Sequence, residues 1–280
     1  MTVSGQPEAA LSPLPKADGS ATYSYAGYTI TASANGPIEA QRRDEHPYEA
    51  LVDVIVRPVA GVGGTRERHL ESILQSSLKQ IILVKNFPRS LIQIVLQITT
   101  SPENEYANTK LVQASLVRIL RLILVTTLFL LMILQHADAN PKYQNLPIVP
   151  ALLQTAVLAL LSGGIPLKTT ATATAVSVVI EDGNSKFVAD PSPREGEDAQ
   201  STHVFAFTSH DELLLVESEG DFSMEEWQGA HDTAKRICCE TSKKAGVDMI
   251  LDDENSEGPD LRHFIRSALE AKVASDLHWK

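Results

Sequence analysis

Alternating and helical patterns of hydrophobic residues predict most of the secondary structure. Residues 90–99 alternate strictly, with Ile92, Ile94, Leu96 and Ile98 on one side, and this period of two is typical of a strand. Residues 66–86 carry apolar side chains at helical spacing, which predicts an amphipathic helix that ends before Phe87-Pro88. The two periods together indicate a chain that uses both kinds of element.

The N-terminal third predicts strands after a flexible tail. Three prolines among small and polar residues give residues 1–20 no apolar period, so we expect a tail there. Residues 21–34 are rich in Tyr and Thr and predict a hairpin that turns at Gly27. Asn35-Gly36-Pro37 predicts a break, and residues 51–56 predict the next strand.

The C-terminal half predicts a helix with one buried stripe, a run of strands and two further helices. A helix over 149–162 ends at Gly163-Gly164, and Ser223 and Glu226 have the spacing of a capping box. The other predicted elements are strands over 170–180, 187–189, 204–208 and 213–217, a helix over 224–245 and a weak helix over 261–275. This order favours an α+β fold with one domain over 21–245 and an acidic tail over 246–280.

Charge and cysteine content exclude several classes of protein. The 280 residues carry 24 basic and 35 acidic side chains, a net charge of −11, and residues 181–280 hold 23 of the acids. A solitary nucleic-acid binder usually needs a basic face, so this balance argues for an RNA role only within a larger assembly. Cys238 and Cys239 are adjacent and alone, which excludes a disulfide framework and a paired-cysteine zinc site. We expect an intracellular protein.

Residues 116–134 form the one unusually apolar segment. Their uncharged part, residues 122–134, is 13 residues long, whereas a membrane-spanning helix needs about 20. A buried or partner-facing helix and a membrane span are two interpretations. A third is a retained intron over residues 117–144, which correspond to 84 nucleotides; valine codons begin GT and a glutamine codon can end CAG. We hypothesise the intron, because its removal joins the flanking segments smoothly.

Two stretches resemble a known family. Residues 34–58 read ANGPIEAQRRDEHPYEALVDVIVRP and lead into the helix over 66–86 and the strand over 90–99. Residues 149–179 read VPALLQTAVLALLSGGIPLKTTATATAVSVV, followed by LLLVESEGDFSMEEW over 213–227. The order resembles the RNase PH family over about residues 22–245, apart from 117–144, and most closely the eukaryotic exosome ring subunits of the ribosomal RNA-processing protein 46 type. The resemblance implies an RNase PH-like (ribosomal protein S5 domain 2-like) fold, a mixed sheet with two central helices and a C-terminal helix.

Active members of that family are phosphorolytic exoribonucleases, and this chain departs from their site. The family's phosphate cradle, a Gly-Thr-Arg loop before the second central helix, corresponds here to residues 146–150, LPIVP. Asp190 matches the first of two family carboxylates, but the second position holds Gly196. Glu195, Glu197 and Asp198 are nearby acids of what is more simply a solvated loop. We therefore expect no catalytic residue, with Asp190 a vestige, and no metal site or cofactor.

Four arginines are candidate RNA contacts. Arg66 matches a family arginine at the start of the first central helix, and Arg68, Arg42 and Arg43 are neighbouring candidates. A guanidinium group suits phosphate because it offers paired, planar donors. The alternatives are a solvated loop or a salt bridge at a subunit interface. The string Gly63-Gly64-Thr65-Arg66 looks like the cradle but precedes the wrong helix.

The resemblance implies a non-catalytic ring subunit of the RNA exosome. It would support 3′-to-5′ RNA processing and degradation by joining other RNase PH-like ring subunits and exosome cap subunits and by threading single-stranded RNA. It implies a place in the nucleus and nucleolus and also in the cytoplasm, without a membrane partner. The alternatives are an active phosphorolytic exoribonuclease that uses Asp190 and a membrane-associated protein that uses residues 116–134.

Overall fold

A computed structural model describes residues 6–102, 146–181, 184–192, 195–196, 199–240 and 260–278. The chain divides into two units, one of Met1–Ser101 with Asn145–Lys280 and one of Pro102–Gln144. Apart from Pro102, all described residues belong to the first unit. The proposed insert over 117–144 and the acids Glu197 and Asp198 lie outside the described residues.

The first sheet has five strands in the order β1-β2-β3-β5-β4. They are β1 (Glu8–Leu11), β2 (Gly19–Tyr25), β3 (Tyr28–Glu39), β4 (Leu51–Arg57) and β5 (Ser90–Thr100). Only β4 and β5 run parallel, because helix α1 (Thr65–Ile81) carries the chain back between them. The predicted hairpin is confirmed, and Ala26 and Gly27 both have positive φ at its two-residue turn.

Two N-terminal expectations are wrong. Residues 8–11 of the expected tail form β1, whose four residues pair with β2, so the pairing rather than an apolar period defines the strand. Asn35-Gly36-Pro37 does not end β3; the pairing of β3 with β5 shifts register between Asn35 and Ile38 and then continues to Glu39. A bulge absorbs the proline, which cannot donate to the ladder.

Helix α1 packs on the first sheet and protects the edge of β4. It ends at Ile81, five residues before the predicted end, and a 3-10 turn follows over Val84–Asn86. The Glu71 Oε1 atom accepts the Val56 N–H at 2.9 Å, and the Gln75 Nε2 atom donates to the Val52 carbonyl at 2.7 Å. Side chains of α1 thereby bond backbone groups of the edge strand.

Helix α2 (Val149–Ser162) has the predicted bounds but a different environment. The prediction assigned it one buried stripe, yet every residue from Val149 to Leu160 is buried. It packs against β2 and β3 on one side and β6 on the other, so both sheets cover it. Gly19 permits the contact with β2, since a Cβ atom there would lie 2.3 Å from the Ala159 carbonyl oxygen.

The second sheet is antiparallel, in the order β7-β6-β8-β9. Its strands are β6 (Ala171–Glu181), β7 (Asn184–Ala189), β8 (Ser201–Thr208) and β9 (Leu213–Gly220). Val204 and Ala206 join the core around α2, whereas Phe205 and Phe207 join a second cluster with α3 (Met224–Lys235). The layers are therefore sheet, helices, sheet and helix. The α+β prediction is confirmed, with two sheets in place of one mixed sheet.

Two helices complete the fold at the C-terminal end. The predicted capping box of α3 is present: the Ser223 N–H donates to Glu226 at 2.7 Å and the Glu226 N–H to Ser223 at 3.2 Å. Helix α3 passes into a π-helical turn over Arg236–Glu240. Helix α4 (Leu261–Asp276) follows and contacts β1 and α2. Its Ile265 side chain is buried in the main core, so this part of the expected tail belongs to the core. Among the helices in the described residues, none is both long and apolar enough to cross a membrane.

Candidate functional site

The carboxyl end of β5 gathers several of the candidate residues. The β2–β3 hairpin brings Tyr25 and Tyr28 to this end, because Thr29 pairs with Thr100. The Tyr25 hydroxyl donates to the Asp190 Oδ2 atom at 2.9 Å, across 165 residues of sequence. This bond connects the first sheet to the end of β7 and forms the centre of the site.

Asp190 is held by three donors. Besides Tyr25, the Thr174 hydroxyl donates to its Oδ1 atom at 3.2 Å and the Ala175 N–H does so at 3.4 Å. Its backbone has φ +48°, an uncommon conformation for a residue other than glycine. Burial raises the pKa of the Asp190 carboxyl above its ordinary value, although the three hydrogen bonds favour the charged form. The carboxyl therefore faces protein donors, and the residue as a whole is half-buried.

Arg66 lies at the same end of the sheet. It stands in the first turn of α1, and its positive charge partly offsets the burial that raises the pKa of the Tyr28 phenol. The helix start beside it is already capped, since the Gly64 N–H donates to the Glu67 Oε2 atom at 2.6 Å. The glycine string before α1 thus uses one of its amides for the protein's own carboxylate.

The start of α2 is apolar where the family resemblance predicts a phosphate cradle. Leu146–Ile148 forms a 3-10 turn, and Leu146, Ile148, Val149 and Pro150 are buried. Helix α2 has no side-chain cap and carries no charged residue in its first turn. Pro147 and Pro150 supply no N–H group, so this helix start offers an anion fewer donors than an ordinary one.

The loop after Asp190 does not place an acid at the second carboxylate position. Gly196 occupies it, and a Cβ atom there would meet open space. Glu195 instead accepts hydrogen bonds from the Ser192 N–H at 2.8 Å and the Ser192 hydroxyl at 2.7 Å. These bonds lower the pKa of the Glu195 carboxyl and tie it to its own turn.

The four candidate arginines form two pairs at opposite ends of β5. Arg66 and Arg68 lie in the first turns of α1, which follows the carboxyl end of β4 and so lies at the carboxyl end of the parallel β5. Arg42 and Arg43 lie in the β3–β4 connection at the amino end, where Leu51 pairs with Leu91. Seven paired residues of β4 and β5 separate the two ends, which corresponds to about 20 Å. Arg42, Arg43 and Arg68 are exposed. The structure therefore places Arg66 at the same end of β5 as Asp190 but separates the two arginine pairs.

Three other titratable side chains, those of His203, Cys238 and Cys239, are buried in the fold. His203 is buried between the Ser201 and Ser218 hydroxyls, at 3.0 and 2.8 Å. Burial raises the pKa of the Cys238 thiol to about 12 and that of Cys239 to about 11, so neither is a thiolate at neutral pH. Within the described part of the chain, no three His, Cys, Asp or Glu residues could together hold a metal ion.

Sequence reasoning missed Tyr25 and Thr174 as partners of Asp190. Tyr25 is one of several hairpin tyrosines, and nothing in its local pattern distinguishes it from Tyr23 or Tyr28. The partnership depends on the distance between sheets, which no local period encodes.

Comparisons with known proteins cover most of the chain. Residues 7–166 match the family described as "3′ exoribonuclease family, domain 1", and residues 171–237 match its domain 2. The exosome complex component RRP46 of Saccharomyces cerevisiae is 26% identical over 229 residues, 80% of this chain and 86% of that protein. The Schizosaccharomyces pombe exosome complex component rrp46 is 36% identical over 85 residues, 30% of this chain and 38% of that protein.

Solved structures share the fold. A crystal structure of Rrp46 from rice (Oryza sativa) superposes with a TM-score of 0.61 at 20% identity, covering 83% of this chain and 89% of that one. A chain of the Archaeoglobus fulgidus exosome with RNA bound to the active site superposes with a TM-score of 0.59 at 11% identity, covering 86% and 88%. At these identities the likeness concerns the fold, and it confirms the fold predicted from the sequence.

Proposed function

Because the chain belongs to the 3′ exoribonuclease family, we propose that it is a non-catalytic ring subunit of an RNA exosome. The family assignment confirms the resemblance found in the sequence. In the proposed role the subunit supports 3′-to-5′ RNA processing and degradation, including ribosomal RNA maturation and RNA turnover. Its partners would be other RNase PH-like ring subunits, exosome cap subunits and single-stranded RNA, in the nucleus, nucleolus and cytoplasm.

The start of α2 carries the non-catalytic part of the proposal. Phosphorolysis needs a site that holds the attacking phosphate, and backbone amides at a helix start commonly provide one. The residues at this helix start are apolar instead, and Leu146, Ile148, Val149 and Pro150 are buried. A doubly charged anion would lose its hydration at this helix start without gaining the donors that replace it.

The surroundings of Asp190 support the same proposal. Its carboxyl is occupied by Tyr25, Thr174 and Ala175, and Glu195 is occupied by Ser192. General acid–base catalysis or metal binding needs carboxylate oxygens directed at the reacting groups. We infer that Asp190 now connects β2 to the second sheet.

The relatives' names support the assembly part. Both yeast relatives are named exosome complex components, and one of them aligns over most of this chain. Arg66 and Arg68 at one end of β5, and Arg42 and Arg43 at the other, would contribute positive charge to an RNA path that neighbouring subunits complete. The net charge of −11 is compatible with this role because the arginines are local.

Two measurements on the purified full chain test the proposal. Incubated with labelled single-stranded RNA and inorganic phosphate, the chain should release no nucleoside diphosphate above a protein-free control. Co-expressed with RNase PH-like ring subunits, it should co-purify with them in a stoichiometric complex. A reaction that depends on phosphate and is abolished in Asp190→Ala would establish the active exoribonuclease instead.

The Asp190→Ala protein needs a folding control. Because Asp190 bonds Tyr25 and Thr174, its replacement could lower stability as well as activity. Tyr25→Phe removes one of the same hydrogen bonds and leaves the carboxyl in place. If Asp190 is catalytic, Asp190→Ala should lose activity while Tyr25→Phe remains largely active. If Asp190 is only structural, activity and stability should change in the same direction in both variants.

A further inference from the structure

One end of the second sheet exposes three large apolar side chains. Met224 is 73% exposed, Ile180 is 49% exposed and Phe222 is 42% exposed. Single exposed apolar residues are ordinary on a protein surface, whereas neighbouring ones commonly mark a binding surface. The positions of the three residues in the sheet show that they are neighbours.

The strand register brings Ile180 and Phe222 to the same end of the sheet. Val178 of β6, Ser201 of β8 and Gly220 of β9 form one row across the sheet. Strands β6 and β9 both run antiparallel to β8, so they leave this row in the same direction. Ile180 and Phe222 are each two residues beyond the row, where the two chain segments lie about 10 Å apart.

These side chains lie on the face of the sheet that α3 covers. The Phe222 ring contacts the His203 ring, with centroids 4.8 Å apart. His203 pairs with Val176, which belongs to the apolar cluster around α3. Side chains alternate along a strand, so Ile180, four residues after Val176, faces the same way. Met224 is the first residue of α3 and completes an α3-face patch of Ile180, Phe222 and Met224.

Hydrogen bonds hold the chain that presents the α3-face patch. The capping box between Ser223 and Glu226 fixes the connection from β9 to α3. The Ser185 hydroxyl donates to the Glu226 Oε1 atom at 2.8 Å, and Ser185 pairs with Ile180. A surface that is fixed before binding loses little conformational entropy when a partner docks on it.

The surroundings of the patch are acidic. Residues 217–226 contain five acids and no base. Asp221 and Glu225 are exposed, and among the residues that the structure describes no ion pair involves either of them. Lys186 follows Ser185 in β7 and therefore lies on the opposite face of the sheet. Such a surface repels an acidic partner and attracts a basic one.

We propose that the α3-face patch binds a short segment of another protein in which large apolar side chains are flanked by Lys or Arg. The apolar side chains of the segment would cover Phe222 and Met224, and its cations would face Asp221 and Glu225. An apolar centre within a rim of complementary charge is the usual arrangement of a specific protein interface. A nucleic acid does not fit, because its phosphates would meet the acids. The inference goes beyond the proposed function and does not depend on RNA handling.

Selection from a displayed library of short random peptides tests the chemistry of the segment. The purified full chain is one bait, and the Met224→Asp chain is a parallel bait that identifies peptides bound elsewhere. Peptides that bind the unaltered chain but not Met224→Asp should be rich in large apolar residues beside Lys or Arg. Selected peptides without basic residues, or no peptide that distinguishes the two baits, would overturn the inference.

Fluorescence anisotropy with one selected, labelled peptide measures the apolar contribution. Met224→Ala should weaken binding of the peptide by about 5- to 30-fold, as expected for one exposed apolar side chain that a partner buries. Val273→Ala changes an exposed apolar residue of α4 and is the matched control, which should leave the affinity unchanged. Circular dichroism of each variant verifies that the fold is retained.

Neutral substitutions of the acids measure the electrostatic contribution separately. The double variant Asp221→Asn/Glu225→Gln should weaken binding by about 2- to 10-fold at low salt. At about 1 M salt the variant and the unaltered chain should bind the peptide equally, because salt screens exposed charges. Glu270→Gln, an exposed acid of α4, is the control and should change neither value.

Other occupants of the patch would give different results, and each would overturn the inference. Loss of a ring subunit from the co-purified complex in Met224→Ala would assign the patch to a ring neighbour. A change from dimer to monomer in Met224→Asp, measured by sedimentation velocity, would assign it to a second copy of the chain. Equal peptide affinities of Met224→Ala and the unaltered chain would remove the patch from peptide binding. Absence of peptide binding leaves the ring-subunit proposal intact, because co-purification with ring subunits tests that proposal independently.

Discussion

At the scale of single residues, Asp190 is held by protein donors at a position that the family resemblance matches to a catalytic carboxylate. Its oxygens accept from Tyr25, Thr174 and the backbone of Ala175, and its pKa is raised because burial outweighs these bonds. A carboxyl with this environment costs stability when it ionises. The residue type was identified from the sequence, but its partners come from strands far away in the chain and were not.

The raised pKa of Asp190 gives a pH dependence with a definite sign. The folded state holds the proton more tightly than the unfolded state, whose aspartate pKa is about 3.9. The contribution of Asp190 to stability is therefore complete below about pH 4 and is lost as pH rises through the folded pKa. Asp190→Asn cannot ionise, so the unfolding free energy of the unaltered chain minus that of the variant should fall between pH 4 and pH 7, by at most about 1.4 kcal/mol per pH unit. Urea unfolding at several pH values measures it. A difference that rises with pH would mean that the three donors stabilise the ion more than burial penalises it.

Arg66 and Arg42 give a second prediction at this scale. Since they lie beyond opposite ends of β5, whose segment paired with β4 is about 20 Å long, charge reversals at the two sites should act independently on RNA binding. Arg66→Glu and Arg42→Glu should each weaken RNA binding by the assembled complex, by roughly three- to tenfold, and the double variant should show the product of the two effects. Filter binding measures the affinities, and gel filtration verifies assembly. A variant that binds RNA normally would remove that arginine from the path.

At the scale of elements, the sequence period correctly predicted the strands and helices that have a regular apolar pattern and a clear end signal. The strand over 90–99 and the helix over 149–162 were placed within one residue, because strict alternation and a glycine stop are unambiguous signals. Residues 8–11 were missed because a four-residue strand defined by pairing with β2 has too few residues to show a period. The complete burial of α2 was also missed, since it depends on a second sheet that closes over the helix.

Leu74 tests the assignment of the buried face of α1. Its side chain is fully buried in the main core, so Leu74→Asp would place an unpaired charge among apolar groups. We expect a loss of roughly 3 to 5 kcal/mol in unfolding free energy, or failure to fold. Ser72→Asp adds the same charge at an exposed position of the same helix and should change stability by less than about 0.5 kcal/mol. Denaturant titration of both variants measures the contrast, and similar losses in the two would refute the assigned face.

At the scale of the whole molecule, the fold agrees with the family assignment. Both domains of the family match this chain. The second match ends at residue 237, and helix α4, which follows it, also packs on the core. The charge balance alone argued against RNA binding by the solitary chain. The topology adds that candidate arginines lie at both ends of β5, whereas 23 of the 35 acids follow residue 180.

The retained-intron hypothesis predicts the composition of the transcript population. Sequencing across the codons for residues 117–144 should find a product shorter by 84 nucleotides, and its protein would have 252 residues and a net charge of −13. The shorter chain should express in soluble form and co-purify with ring subunits at least as well as the longer one. Transcripts that uniformly contain the segment would rule the hypothesis out.

The hydrogen bonds from α1 to the edge of β4 have a consequence for the subunit before assembly. An open strand edge can pair with any similar strand, including that of an identical chain. Here the Val56 N–H and the Val52 carbonyl are already satisfied by Glu71 and Gln75. These two hydrogen bonds therefore disfavour pairing of the β4 edge with a second copy of the chain before assembly. The helix that positions Arg66 also limits misassembly, so the two properties would be lost together if α1 unfolded.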